Sequence, residues 1–74
     1  MKVHVQLFSG LQLHRFKEES IILEEAAAVS DLLSKLNINE EEVGMLLINR
    51  QSGTFSSILK ESDHITMISP MYGG

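Results

Sequence analysis

The residues best suited to chemistry stand at the end of the chain, which closes Ser69-Pro70-Met71-Tyr72-Gly73-Gly74. With glycine at about 7% of residues, a chain ends in two glycines by chance roughly once in 200. Diglycine carries no Cβ, so its backbone can thread a channel that any side chain would block. Fully extended, residues 70–74 reach about 17 Å at roughly 3.3–3.6 Å per residue. That length carries the α-carboxylate of Gly74 deep into another protein while the body docks outside. Pro70 fixes its own φ and stiffens the exit. A terminal carboxylate is also the only group here that a nucleotide-dependent enzyme could activate without a specialised side chain. The expectation is therefore that Gly74 is the reacting residue, and that Gly73, Tyr72, Met71 and Pro70 are the segment inserted into a partner.

Other chemistries lack their residues. There is no Cys to act as a nucleophile or zinc ligand, and Gly10, Gly44 and Gly53 have no phosphate-loop spacing. His4, His14 and His64 fall in three separate segments, so no metal site is expected. A domain below about 80 residues has a core too small to house a catalytic cleft. The chain is thus expected to have no catalytic residues and to be acted upon by others. Six Lys+Arg stand against ten Asp+Glu, for a net charge of −4, and the basic residues are scattered. That balance speaks against nucleic acid. No uninterrupted apolar run exceeds four residues, so no segment reads as a membrane span or as the apolar core of a signal peptide. Absence of Cys fits a cytoplasmic protein.

The elements that must position the tail follow from periodicity. Val3, Val5 and Leu7 alternate with Lys2, His4 and Gln6, the pattern of a half-buried strand. Ile21-Ile22-Leu23 reads as a second strand, antiparallel to the first. Val29, Leu32, Leu33 and Leu36 recur at i, i+3, i+4, i+7, which predicts an amphipathic helix over 28–36. Ala26-Ala27-Ala28 offers no capping oxygen at its start, and Asn37 suits a left-handed residue at its end. Glu40-Glu41-Glu42 reads as a solvated turn, or else as a contact for a basic partner. Met45–Ile48 reads as a buried strand, Thr54–Ser57 as a short strand, and Ile65–Ile68 as the last strand. Leu59 is an apolar anchor between them. This order makes an α+β domain over residues 1–69, one mixed sheet of four to five strands packed on one helix. Residues 70–74 follow as a flexible tail. Placing the last strand parallel to the first makes both central. Ile65 and Met67 then face the helix. Thr66 and Ile68 face away, beside His4 and Gln6. Ile68 with Met71 and Phe8 makes an apolar patch at the tail's root, so Ile68, Thr66, His4 and Phe8 are the candidate docking residues.

The whole chain resembles the ubiquitin-like β-grasp sulfur carriers: the thiamine-biosynthesis carrier ThiS and the small subunit of molybdopterin synthase. The resemblance rests on the first strand Val3–Leu7, the helix Val29-Ser30-Asp31-Leu32-Leu33, Leu47-Ile48-Asn49, the stretch Leu59–Ile68, and the tail Pro70-Met71-Tyr72-Gly73-Gly74. Three positions depart from the family pattern. Ser62 stands where a Gly lies between two acids, Arg50 follows the Asn in place of Gly, and Tyr72 is large where many members are small. The resemblance implies that an E1-like enzyme adenylates the Gly74 carboxylate with ATP. A sulfur donor of the cysteine desulfurase or rhodanese type then makes a thiocarboxylate. The sulfur passes to an acceptor, either a synthase large subunit or a thiazole synthase. It implies no bound cofactor in the carrier itself. The spacing of the Pro favours the molybdopterin or tungstopterin branch over thiamine. The alternative is a protein modifier joined through Gly74 to lysines of targets.

Overall fold

A computed structural model describes residues 1–70 of the chain. In chain order the elements are β1 (Lys2–Phe8), β2 (Glu18–Ile22), α1 (Val29–Leu36), β3 (Met45–Ile48), β4 (Gln51–Ser52) and β5 (His64–Ile68), with 3-10 turns at Ser9–Gln12 and Glu40–Glu42. The strands form one sheet in the order β2-β1-β5-β3-β4. β1 and β5 are parallel and the other neighbouring pairs antiparallel. The last strand therefore lies beside the first, as expected, and the pair occupies the middle of the sheet.

The alternation in β1 divides the sheet into two faces. Val3, Val5 and Leu7 point inward with Ile65 and Met67 of β5, and all five are at most 1% exposed. α1 covers this face with Val29, Leu32 and Leu33, leaving Asp31, Ser34 and Lys35 in solvent. Leu11 and Leu59, from connecting segments, complete the core. Leu59 is the apolar anchor anticipated from its isolation.

The helix ends have different solutions. Asn37 closes α1 at φ 57 and ψ 46, and its N–H reaches the carbonyls of Leu33 and Ser34. At the start no residue offers a capping hydroxyl. Instead the carbonyl of Ser57 accepts the Val29 N–H at 3.0 Å, and that of Phe55 accepts the Ser30 N–H at 2.8 Å. A distant loop thus satisfies donors that an N-cap side chain usually takes.

That loop corrects one expectation. Thr54–Ser57 is a turn, and the short strand is Gln51–Ser52. The Thr54 N–H donates to Ser57 Oγ at 3.0 Å and the Ser57 N–H to the Thr54 carbonyl at 3.1 Å. Local hydroxyl bonds of this kind compete with strand ladders. Here they bend the chain so that its carbonyls face the helix. β2 also begins earlier than its apolar residues suggest, at Glu18. Leu23 lies just beyond it, in the core.

β3 and β4 are joined by the two-residue turn Asn49-Arg50, with φ 52 and 71, since Ile48 pairs with Gln51. Both residues occupy the left-handed region, as a type I′ hairpin turn requires. Ser62, between Glu61 and Asp63, has φ 69. The two positions where glycine was expected by resemblance therefore keep glycine-like backbone without glycine. Asn49 is held by its side chain. Its Nδ2 donates to Asp63 Oδ1 at 2.8 Å, and its Oδ1 accepts the His64 N–H at 2.9 Å. Asp63 is buried, and its Oδ2 accepts the Lys60 N–H at 2.8 Å.

Candidate functional site

The outward face of the sheet carries rows of side chains, because paired residues on neighbouring strands project together. The row nearest the tail is apolar. Phe8 pairs with Ile68, and Ile68 with Met45. Phe8 is 40% exposed and Met45 52% exposed, with Ile68 half-buried between them. The next row crosses all five strands as Glu18, Gln6, Thr66, Leu47 and Ser52. A third row contains Ser20, His4 and His64. The face is thus apolar beside the chain's exit and polar around His4 and His64, and its far row pairs Lys2 with Ile22, which is 59% exposed.

All four docking candidates, Phe8, Ile68, Thr66 and His4, lie on this face. Thr66 and Ile68 point away from the helix, as read from the sequence. Met45 was missed. Its run Met45–Ile48 reads as wholly buried, yet β3 alternates, with Leu46 inward and Met45 outward. Met71, Tyr72, Gly73 and Gly74, the rest of the expected patch and tail, lie outside the described residues.

The root of the tail is held by two glycines that sequence reasoning passed over. The Gly10 N–H donates to Ser69 Oγ at 3.0 Å. The Gly44 N–H donates to the Ile68 carbonyl at 2.7 Å. A Cβ on Gly44 would lie 2.6 Å from Pro70 Cα and 2.8 Å from Pro70 N. The chain leaves β5 in a direction that only a glycine at 44 leaves open. The one hint in the sequence is the position of Gly44 directly before the β3 run.

The expectation that the three histidines stand apart fails for two of them. The parallel pairing of β1 with β5 sets His4 opposite His64, with ring centroids 4.6 Å apart. His4 Nε2 lies 2.6 Å from Glu18 Oε2. Of the acidic run, Glu42 has partners within the chain. Glu42 Oε2 accepts the Asn39 N–H at 2.9 Å, and Oε1 lies 3.5 Å from Arg15. Glu40 and Glu41 remain exposed.

Among the described residues no buried side-chain nitrogen or oxygen lacks a hydrogen-bond partner. Among these residues the interior therefore presents no unsatisfied polar group aimed at a substrate. Among the same residues no helix is long and apolar enough to cross a membrane.

The family model of the ThiS family matches residues 5–74 of this chain. The chain belongs to the ThiS family. That span includes the tail as well as the sheet, and it agrees with the resemblance carried by Pro70 to Gly74. No curated protein matches in sequence. Among solved structures, the SAMP1 protein of Haloferax volcanii superposes with a TM-score of 0.80 at 16% identity, each chain covered in full. A Pyrococcus furiosus protein, assigned as molybdopterin converting factor subunit 1, gives a TM-score of 0.76 at 26% identity over 96% of this chain and 99% of that one. A complex of subunits 1 and 2 of the molybdopterin-converting factor of Helicobacter pylori gives 0.67 at 22% identity, with both chains fully covered. The mixed five-stranded sheet with one helix is the β-grasp, ubiquitin-like fold of this ThiS-family chain.

Proposed function

We propose that this ThiS-family chain is a sulfur carrier, itself without catalytic groups or a bound cofactor. An E1-like partner brings ATP, and an oxygen of the Gly74 carboxylate attacks its α-phosphorus as pyrophosphate leaves. The outer sulfur of the donor's cysteine persulfide then displaces AMP at the Gly74 carbonyl carbon, giving an acyl disulfide. A thiol attacks the donor's cysteine sulfur, which breaks the S–S bond, releases the Gly74 thiocarboxylate and leaves a disulfide on the donor side. The outer face docks while residues 70–74 enter the partner's active site. The acceptor is the large subunit of a synthase that builds a dithiolene pterin. The molybdopterin branch is favoured over thiamine by the Pro spacing and by the name of the 26%-identical Pyrococcus neighbour. The Helicobacter complex supplies the precedent of a similar fold joined to a second subunit.

One observation carries this reading. The apolar row Phe8–Ile68–Met45 sits where the chain departs toward Gly74, at a root fixed by Gly44 against Pro70. An exposed apolar patch beside a tail free of bulky side chains at its last two positions suits docking followed by insertion. The test is intact mass after co-expression with the E1-like enzyme and sulfur donor. Replacement of one oxygen by sulfur at Gly74 is expected. A ladder of larger conjugates would instead establish a protein modifier joined to lysines. No change in mass with any such enzyme overturns the carrier reading.

A further inference from the structure

The polar part of the outer face holds a donor set that the tail chemistry does not use. His4 of β1, His64 of β5 and Glu18 of β2 each offer one ligand atom, and these atoms all lie within 4.8 Å of one another. The three residues come from three adjacent strands. His4 and His64 are direct partners in the parallel ladder, and Glu18 sits diagonally across the antiparallel one, opposite Gln6. The two rings meet edge to face at 74°, with centroids 4.6 Å apart. Side-chain exposure is 35% for His4 and 51% for Glu18, which leaves the region open to solutes.

We propose that His4, Glu18 and His64 form a surface site for one divalent transition-metal ion. Two imidazole nitrogens and one carboxylate oxygen suit zinc and its neighbours, and they are poor ligands for magnesium or calcium, which require oxygen. The geometry needs little rearrangement. With metal–ligand bonds of about 2.0–2.2 Å, tetrahedral ligands stand roughly 3.3 Å apart. His4 Nε2 and Glu18 Oε2, now 2.6 Å apart, must open slightly, and the His64 nitrogen must close on them. Exposed side chains make such shifts by small rotations. The backbone is already fixed, because the ligands stand on paired strands and not on loops. Three protein ligands leave a fourth position for water or for a donor from another molecule. The ion would also tie β2, β1 and β5 together across the sheet.

The site is independent of the tail, and its test uses the full chain with the metal alone. Titration calorimetry with zinc chloride is expected to show saturable binding of one ion per chain, with no comparable heat from magnesium chloride. His4→Gln, His64→Gln and Glu18→Gln are each expected to weaken binding by at least about 10-fold, the loss typical of disturbing a metal's surroundings. His14→Gln, outside the cluster, is expected to bind as the parent does. Binding the folded state alone raises Tm, by on the order of 10 °C at 100 times Kd. A paramagnetic probe covers the case of a variant that fails to fold. In the parent chain, cobalt(II) is expected to broaden the ring signals of His4 and His64 before those of His14. Absence of saturable zinc binding, undiminished binding in the His4 or His64 variant, or broadening centred on His14 overturns the proposal.

Discussion

A Cβ placed on Gly44 would stand 2.6 Å from the Cα of Pro70, closer than real side chains approach a backbone atom. The start of β3 and the root of the tail therefore share a space that fits only hydrogen at position 44. Gly44→Ala must push Pro70 away or move β3, and such overpacking costs about 1–3 kcal/mol. A fall in Tm is expected. Transfer of sulfur to Gly74 should fall further than stability does, because the tail leaves at a different angle. A variant whose melting and thiocarboxylation both match the parent would show that the tail's direction is not set here.

Ile68 stands between Phe8 and Met45 on a face that the core does not need. Ile68→Asp places a charge in the centre of the apolar row, where one anchor carries much of an interface's energy. We expect affinity for the adenylating enzyme to drop by about 10-fold or more, an energy of about 1.4 kcal/mol, with the circular dichroism spectrum retained. Titration calorimetry decides the matter, and unchanged affinity would remove this face from the interface.

Arg50 and Ser62 hold φ values of 71 and 69. A residue with a Cβ pays roughly 1–2 kcal/mol in the left-handed region, whereas glycine enters it freely. Glycine also gains freedom in the unfolded chain, which offsets about 0.4–1 kcal/mol of this. Arg50→Gly and Ser62→Gly are each expected to stabilise the domain by up to about 1 kcal/mol, read as a higher urea midpoint at unchanged slope. Lower midpoints would mean that the side chains hold these turns.

Asn49 differs from its neighbour Arg50, because its left-handed backbone is held by its side chain. Asn49→Ala removes the bonds to Asp63 and to the His64 N–H, and it leaves the buried Asp63 short of a partner. The expected loss is about 1–3 kcal/mol, the cost of an unsatisfied buried polar group. Urea denaturation checks it, and a loss below about 0.5 kcal/mol would show that water replaces the amide.

Leu32 is fully buried against the sheet at the middle of α1. Leu32→Ala is expected to cost about 2–5 kcal/mol. A core of this size supplies little more than that. The variant should therefore be largely unfolded at 37 °C, as far-ultraviolet circular dichroism would record, and a cooperative melt near the parent's would contradict this view of the core.

Much of this protein is legible in its residues alone. β1, α1 and β3 follow from alternation and from 3.6-residue spacing, which depend on neighbours a few positions away. The αL cap at Asn37 and the Pro-x-x-Gly-Gly ending are equally local. The inward placement of Ile65 and Met67, and the outward placement of Thr66 and Ile68, follow from the parallel pairing of β1 and β5. What only the tertiary structure decided depends on register and close approach between distant segments. The bend at Thr54–Ser57 is made by local bonds, but its place against the helix start, where the Ser57 and Phe55 carbonyls accept the Val29 and Ser30 N–H, is a contact that no window along the chain contains. Gly44 matters because Pro70, remote in sequence, passes over it. His4 and His64 look unrelated by spacing and become neighbours because parallel strands pair residues far apart in sequence. Periodicity reports which face a side chain takes, and only the register reports which side chain stands beside it.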